Sequence, residues 1–253
     1  MVKSAEPLTP RTTRIKLDLP HGESARATKH DDGEPVVIRD TPPLGRRTEF
    51  WNTLTHGAAA ALAVAGAIGI VVLLARHGSP LSHKAAWAAG LFYAGGLIYL
   101  YAASFLSHYF SWRFDRVRRG YWRRQDQVGI LAVAVSSLAP LALHSEGIGR
   151  VVLPLMALGG FVLLIALLQH HRRTLNPVYL AQLGWLPPLA TFDILRISGG
   201  VGFAYAMGGC VCYLGGLYFL LNDGRRWWFH PVWHLTAVAG STLHYVFLTT
   251  WCL

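Results

Sequence analysis

Between residues 51 and 252 the chain returns to apolar sequence seven times, at about 51–75, 85–110, 126–144, 150–169, 176–195, 198–221 and 230–252. Each segment is roughly 20 residues long, which is what a helix needs to cross a hydrocarbon core of about 30 Å. Inside such a core every backbone N–H and C=O must be bonded within the segment, so the pattern predicts an all-α fold, a seven-transmembrane helix bundle. The composition agrees: 53% of residues are hydrophobic and only 14% are charged. The fifth segment is interrupted by Pro177, Pro187, Pro188 and Asp193, and reads as a kinked helix. In the sixth, Gly199, Gly200, Gly202, Gly208, Gly209, Gly215 and Gly216 let helix backbones approach closely.

The formal net charge of +10 collects between the apolar segments. With the N-terminus cytoplasmic, thirteen basic residues face inward: Arg39, Arg46 and Arg47, the six arginines from Arg113 to Arg124, Arg172 and Arg173, and Arg225 and Arg226. Only four face outward: Arg76, Lys84, Arg150 and Arg196. That asymmetry places the N-terminus inside and the C-terminus outside. No basic stripe interleaves with aromatic residues outside the apolar segments, so nucleic acid is not an expected partner.

Residues 1–45 read as a disordered cytoplasmic tail, and 46–253 as the seven-helix membrane domain. Seven acidic residues before Arg46 argue against a transit peptide, and the first apolar run lies too far from the start for a secretory signal. Cys210, Cys212 and Cys252 all sit in apolar runs and read as packing residues rather than a disulfide framework.

Ionisable groups inside apolar helices are costly and ask for a partner or a task. The predicted topology brings several of them to one depth. Ser104 and His108 close the second segment, Asp126 opens the third, and His230 and His234 open the seventh, all at the cytoplasmic face. Three neutral imidazoles, His108, His230 and His234, with a water in the fourth position, make an open tetrahedral zinc site. Zinc would bring that water toward a pKa of about 7 and so supply a nucleophile. Asp126 could accept its proton or orient a ligand, and Ser104 could bond an outer group or a developing oxyanion. The alternative is a buried polar network without a metal.

Elsewhere, Glu49, Asn52 and His56 share one face at the start of the first helix and read as a capping network or as outer support for the site. His244 lies ten residues past His234, about 15 Å along the axis, so a hydrogen bond between helices is expected of it. His144, His170 and His171 border loops and read as solvated.

The order Ser104-x3-His108, Asp126, His230-x3-His234 resembles the progestin and adiponectin receptor family, on its bacterial hemolysin-III-like branch. EFWNTLTHG at 49–57, Gly184-Trp185 and GGVGFAYAMGG at 199–209 extend the resemblance, which covers about residues 48–253. It implies seven helices and zinc held near the cytoplasmic side by His108, His230 and His234. It also implies either hydrolysis of lipid amides such as ceramides or a cytolytic, pore-like activity. The combined expectation is a zinc-dependent hydrolase of a membrane lipid amide or ester, residing in a bacterial inner membrane. The alternative is a pore or receptor with structural zinc.

Overall fold

In a computed structural model the chain divides into two compact units, Met1–Pro43 and Leu44–Leu253. The residues described are 14–18, 24–29, 35–37, 45–76, 83–146, 149–169 and 190–253. Within the stretch whose composition reads as a tail, β1 (Arg14–Asp18), β2 (Ser24–Lys29) and β3 (Pro35–Val37) pair antiparallel in the order β1-β2-β3. Ile15 stands opposite Ala27, and Ala27 opposite Val37.

The second unit is helical: α1 (Arg46–Arg76), α2 (His83–Trp112), α3 (Arg116–Ala142), α4 (Gly149–Gln169), α5 (Thr191–Leu221) and α6 (Phe229–Trp251). Among the described residues, α1, α2, α3 and α5 are long and apolar enough to cross a membrane. The last helix, α6, is not one of these four, because its His, Ser, Thr and Trp side chains dilute its apolar character. Most of the predicted fifth segment lies outside the described residues; its final residues, from Thr191, open α5.

Neighbours in sequence pack as neighbours from α1 to α4, α5 lies on α6, and α6 closes back onto α1 and touches α3. The interior is built from Ile70, Leu74, Tyr93, Leu97, Leu131, Ile194, Phe247 and Leu248, all nearly inaccessible. Large apolar side chains such as Leu62, Ile68, Leu155, Val201 and Val211 remain exposed on the outer faces. A water-soluble monomer rarely exposes contiguous apolar surface on this scale, whereas a bilayer covers it at no cost.

Three local features set the geometry. First, α3 begins at Arg116 and not at Asp126. The Asp115 side chain caps it by accepting from the Arg118 backbone N–H at 3.0 Å. Hydropathy marks where the membrane begins, not where the helix begins, so Asp126 sits about 15 Å into α3, ten residues along. Second, α5 bends at Gly199, with φ 60° and ψ −164°, a conformation open in practice only to glycine. Third, α5 and α6 touch backbone to backbone: a Cβ at Gly240 would stand 3.0 Å from the Gly209 carbonyl oxygen.

At the opposite end from Arg46, His144 departs from the solvated expectation. Its Nε2 bonds the Cys252 carbonyl at 3.1 Å, meeting the need of the last α6 carbonyls for a donor. His244 Nε2 does reach across to α5, to the Ala206 carbonyl at 2.9 Å, as its spacing from His234 predicts. His170 and His171 lie outside the described residues.

Candidate metal centre

The start of α1, the end of α2 and the start of α6 come together at one end of the bundle. The Thr48 hydroxyl donates to the Trp227 carbonyl at 3.1 Å, and the Arg47 guanidinium stacks 3.8 Å from the Trp227 ring centroid. These contacts pin the first turn of α1 beside the loop that leads into α6. Pro231 sits in the first turn of α6, where its missing N–H leaves no helical bond unmade. His230 and His234 follow at helical spacing on one face.

Here His108, His230 and His234 converge. Each offers a ring nitrogen, and the three nitrogens lie within 4.8 Å of one another. Their ring centroids stand 4.6 to 5.2 Å apart. His108 and His234 are buried and His230 is half-buried.

The outer nitrogens decide what the inner ones can do. His108 Nδ1 lies 2.7 Å from Glu49 Oε2, and His230 Nδ1 lies 2.9 Å from Asp223 Oδ2. A carboxylate only accepts, so both Nδ1 atoms carry the proton. His234 Nδ1 is 3.4 Å from Thr55 Oγ1. That hydroxyl already donates to the Trp51 and Asn52 carbonyls, at 2.9 and 3.0 Å, which leaves its oxygen to accept from His234. The Nδ1 of each ring thus faces an outer oxygen, which leaves Nε2 as the nitrogen each can offer to a metal. Imidazoles that hold a metal are oriented in this way by an outer acceptor.

The residues present therefore fit a divalent ion. Zn–N bonds of about 2.0 to 2.1 Å in a tetrahedron space the nitrogens about 3.3 Å apart, within reach of small ring movements from the separations seen. Glu49 and Asp223 bring two carboxylates to the three imidazoles, which balances the charge of a divalent cation in partly buried surroundings.

The remaining predicted pair also meets. Ser104, one turn before His108 and 2% exposed, hydrogen-bonds the half-buried Asp126 side chain. Asp126 reaches this region through Ser104 and is not one of the group of converging ligand atoms. On α1, Asn52 and His56 are buried beneath Glu49. The His56 ring centroid lies 3.8 Å from that of His234 and 5.9 Å from that of His108, and neither His56 nitrogen has a hydrogen-bond partner among the described residues.

Glu49, read from the sequence as a cap or outer support, is the acceptor for His108. Asp223 and Thr55 gave no sequence signal: one is a loop residue, the other one of several threonines in an apolar helix. Only the fold puts them against an imidazole.

A family model described as haemolysin-III related matches residues 44–245. Hemolysin-3 of Bacillus cereus is 24% identical to this chain over 201 residues, which cover 78% of the chain and 88% of that protein. The family match takes in all three converging histidines, Ser104 and Asp126 and ends within α6, while the three strands precede it. With its apolar membrane-crossing helices, this chain belongs to the haemolysin-III-related family and is an integral membrane protein.

Proposed function

We propose that this protein is a zinc-dependent membrane hydrolase that cleaves an amide or ester bond of a bilayer lipid, ceramide-like in its linkage. The observation that carries the proposal is the convergence of ring nitrogens from His108, His230 and His234 within 4.8 Å of one another, with the Nδ1 of each ring beside an outer oxygen of Glu49, Asp223 or Thr55. Zinc bound to these nitrogens would supply Lewis acidity and a water made acidic enough to act near neutral pH. The chain itself does the rest. Glu49, Asp223 and Thr55 hold the three rings in orientation. Asp126, steadied by Ser104, provides a carboxylate to hold or move a proton during bond cleavage.

The proposal includes a seven-span topology in a bacterial inner membrane, with the N-terminus and the metal centre cytoplasmic. The support is the charge asymmetry: Arg46, Arg47, Arg225 and Arg226 lie at the same end as the three histidines. A lipidomic screen of purified, metal-loaded protein against vesicles tests the chemistry. Release of fatty acid by the wild type and its absence in Asp126→Asn is the expected result; a wild type that holds zinc and turns over no lipid sinks the hydrolase reading.

A second reading rests on the bend at Gly199 and the name of the Bacillus cereus relative: a pore or receptor in which the metal is structural. Leakage of a small dye from vesicles at high protein density favours it, and tight vesicles exclude it.

A further inference from the structure

A surface cavity of about 310 Å³ lies between the first turn of α1 and the loop that joins α5 to α6. Four arginines line it, Arg46, Arg47, Arg225 and Arg226. The only acidic side chain in the lining is Asp223, whose carboxylate already accepts from His230 at 2.9 Å. Among the described residues none of the four arginines takes part in a salt bridge. Four like charges around one cavity repel one another, and the arrangement becomes favourable when an anion enters. Two contacts hold the charges in place despite that repulsion: the stacking of Arg47 on Trp227 and the Thr48 bond to the Trp227 carbonyl.

We propose that this cavity binds a phosphate group. The planar, always-charged guanidinium forks match phosphate oxygens bidentately and desolvate more readily than lysine does. A phosphodiester of an anionic lipid headgroup and free inorganic phosphate present the same chemistry to the site. The lining arginines stand at the end of the bundle where apolar helix gives way to polar loop, the level of a headgroup phosphate. The inference does not depend on hydrolysis or on the metal, and Asp223 links the two sites: it lines the cavity and its carboxylate lies 2.9 Å from His230.

The full chain is reconstituted in nanodiscs of phosphatidylcholine and phosphatidylglycerol in equal parts, and the lipids retained on re-extraction are counted by native mass spectrometry. The wild type is expected to retain phosphatidylglycerol over phosphatidylcholine. Arg47→Gln and Arg226→Gln should each weaken that retention about tenfold, the effect of losing one charge-assisted pair. Arg47→Lys and Arg226→Lys, which keep the charge, should restore part of it. Arg113→Gln and Arg124→Gln, two basic residues outside the lining, should leave it unchanged. In a parallel arm, lipid-free protein in neutral detergent is titrated with inorganic phosphate and followed by thermal shift. Stabilisation of the wild type but not of the Gln variants shows that phosphate alone suffices, and stabilisation only by lipid assigns the site to a headgroup. Equal lipid retention by wild type and by Gln variants that fold with wild-type Tm, with no phosphate response in either, overturns the proposal. Equal losses in the Arg113 and Arg124 variants overturn it too, by reducing the effect to net charge.

Discussion

Glu49 in the first turn of α1 and His108 in the last turns of α2 are 59 residues apart in sequence and 2.7 Å apart in space. The carboxylate accepts from Nδ1, and this contact leaves Nε2 as the nitrogen the ring can offer to a metal. Replacing Glu49 with Ala removes the acceptor and lets the ring turn or change tautomer. Metal affinity, measured by competition with a chromogenic chelator, should fall roughly 10- to 100-fold, and Glu49→Gln, which keeps an acceptor oxygen, should fall less. Equal affinity in wild type and Glu49→Ala would detach Glu49 from the centre.

Asp223 does for His230 what Glu49 does for His108, from a different element and onto a different ring. The two imidazoles would meet at one ion, and Glu49 also feels His230 electrostatically, so the free-energy losses of Glu49→Gln and Asp223→Asn should depart from additivity by about 0.5 kcal/mol or more in the double variant. The same competition assay reads the departure. Losses that simply add would mean that the carboxylates act independently.

Asp126 and Ser104 make a separable contribution. Asp126→Asn should lower lipid turnover by roughly 10²- to 10⁴-fold, the range for a positioned proton-transfer group, while bound metal stays at the wild-type level. Ser104→Ala, which removes one hydrogen bond to that carboxylate, should cost about tenfold. Loss of metal in Asp126→Asn would instead make the aspartate a ligand or its direct support.

Gly199 carries a backbone conformation that a Cβ resists. Gly199→Ala should destabilise the bundle by about 1 to 3 kcal/mol in reversible unfolding from detergent. Among the described residues no atom lies within 4 Å of the added methyl, so the penalty against them is conformational. A wild-type unfolding midpoint would show that the bend relaxes without cost.

Much of this centre could be read before any coordinates. Apolar length located the described membrane-crossing helices, and counts of arginine and lysine gave the directions on which the proposed topology rests. Together these brought His108, Asp126, His230 and His234 to one end, where the structure joins the three imidazoles. The start of α3 was misplaced because a run of arginine and aromatic residues is helical without being apolar. Glu49 was ambiguous for another reason: spacings of three and seven say which residues share a face, whereas the neighbour that face meets is set by how α1 rotates against α2. Thr55 and Asp223 were beyond reach, since a hydroxyl and a loop carboxylate gain meaning only once an imidazole stands beside them.

The central claim is that His108, His230 and His234 together hold one divalent metal ion. Elemental analysis of protein purified without chelator tests it most directly, on the wild type beside His108→Ala, His230→Ala and His234→Ala, each first checked for a monodisperse fold. The account predicts close to one zinc per chain in the wild type and a large loss in every variant. Wild-type zinc content in any of the three variants, or a metal-free wild type that fails to take up zinc when it is supplied, would contradict it.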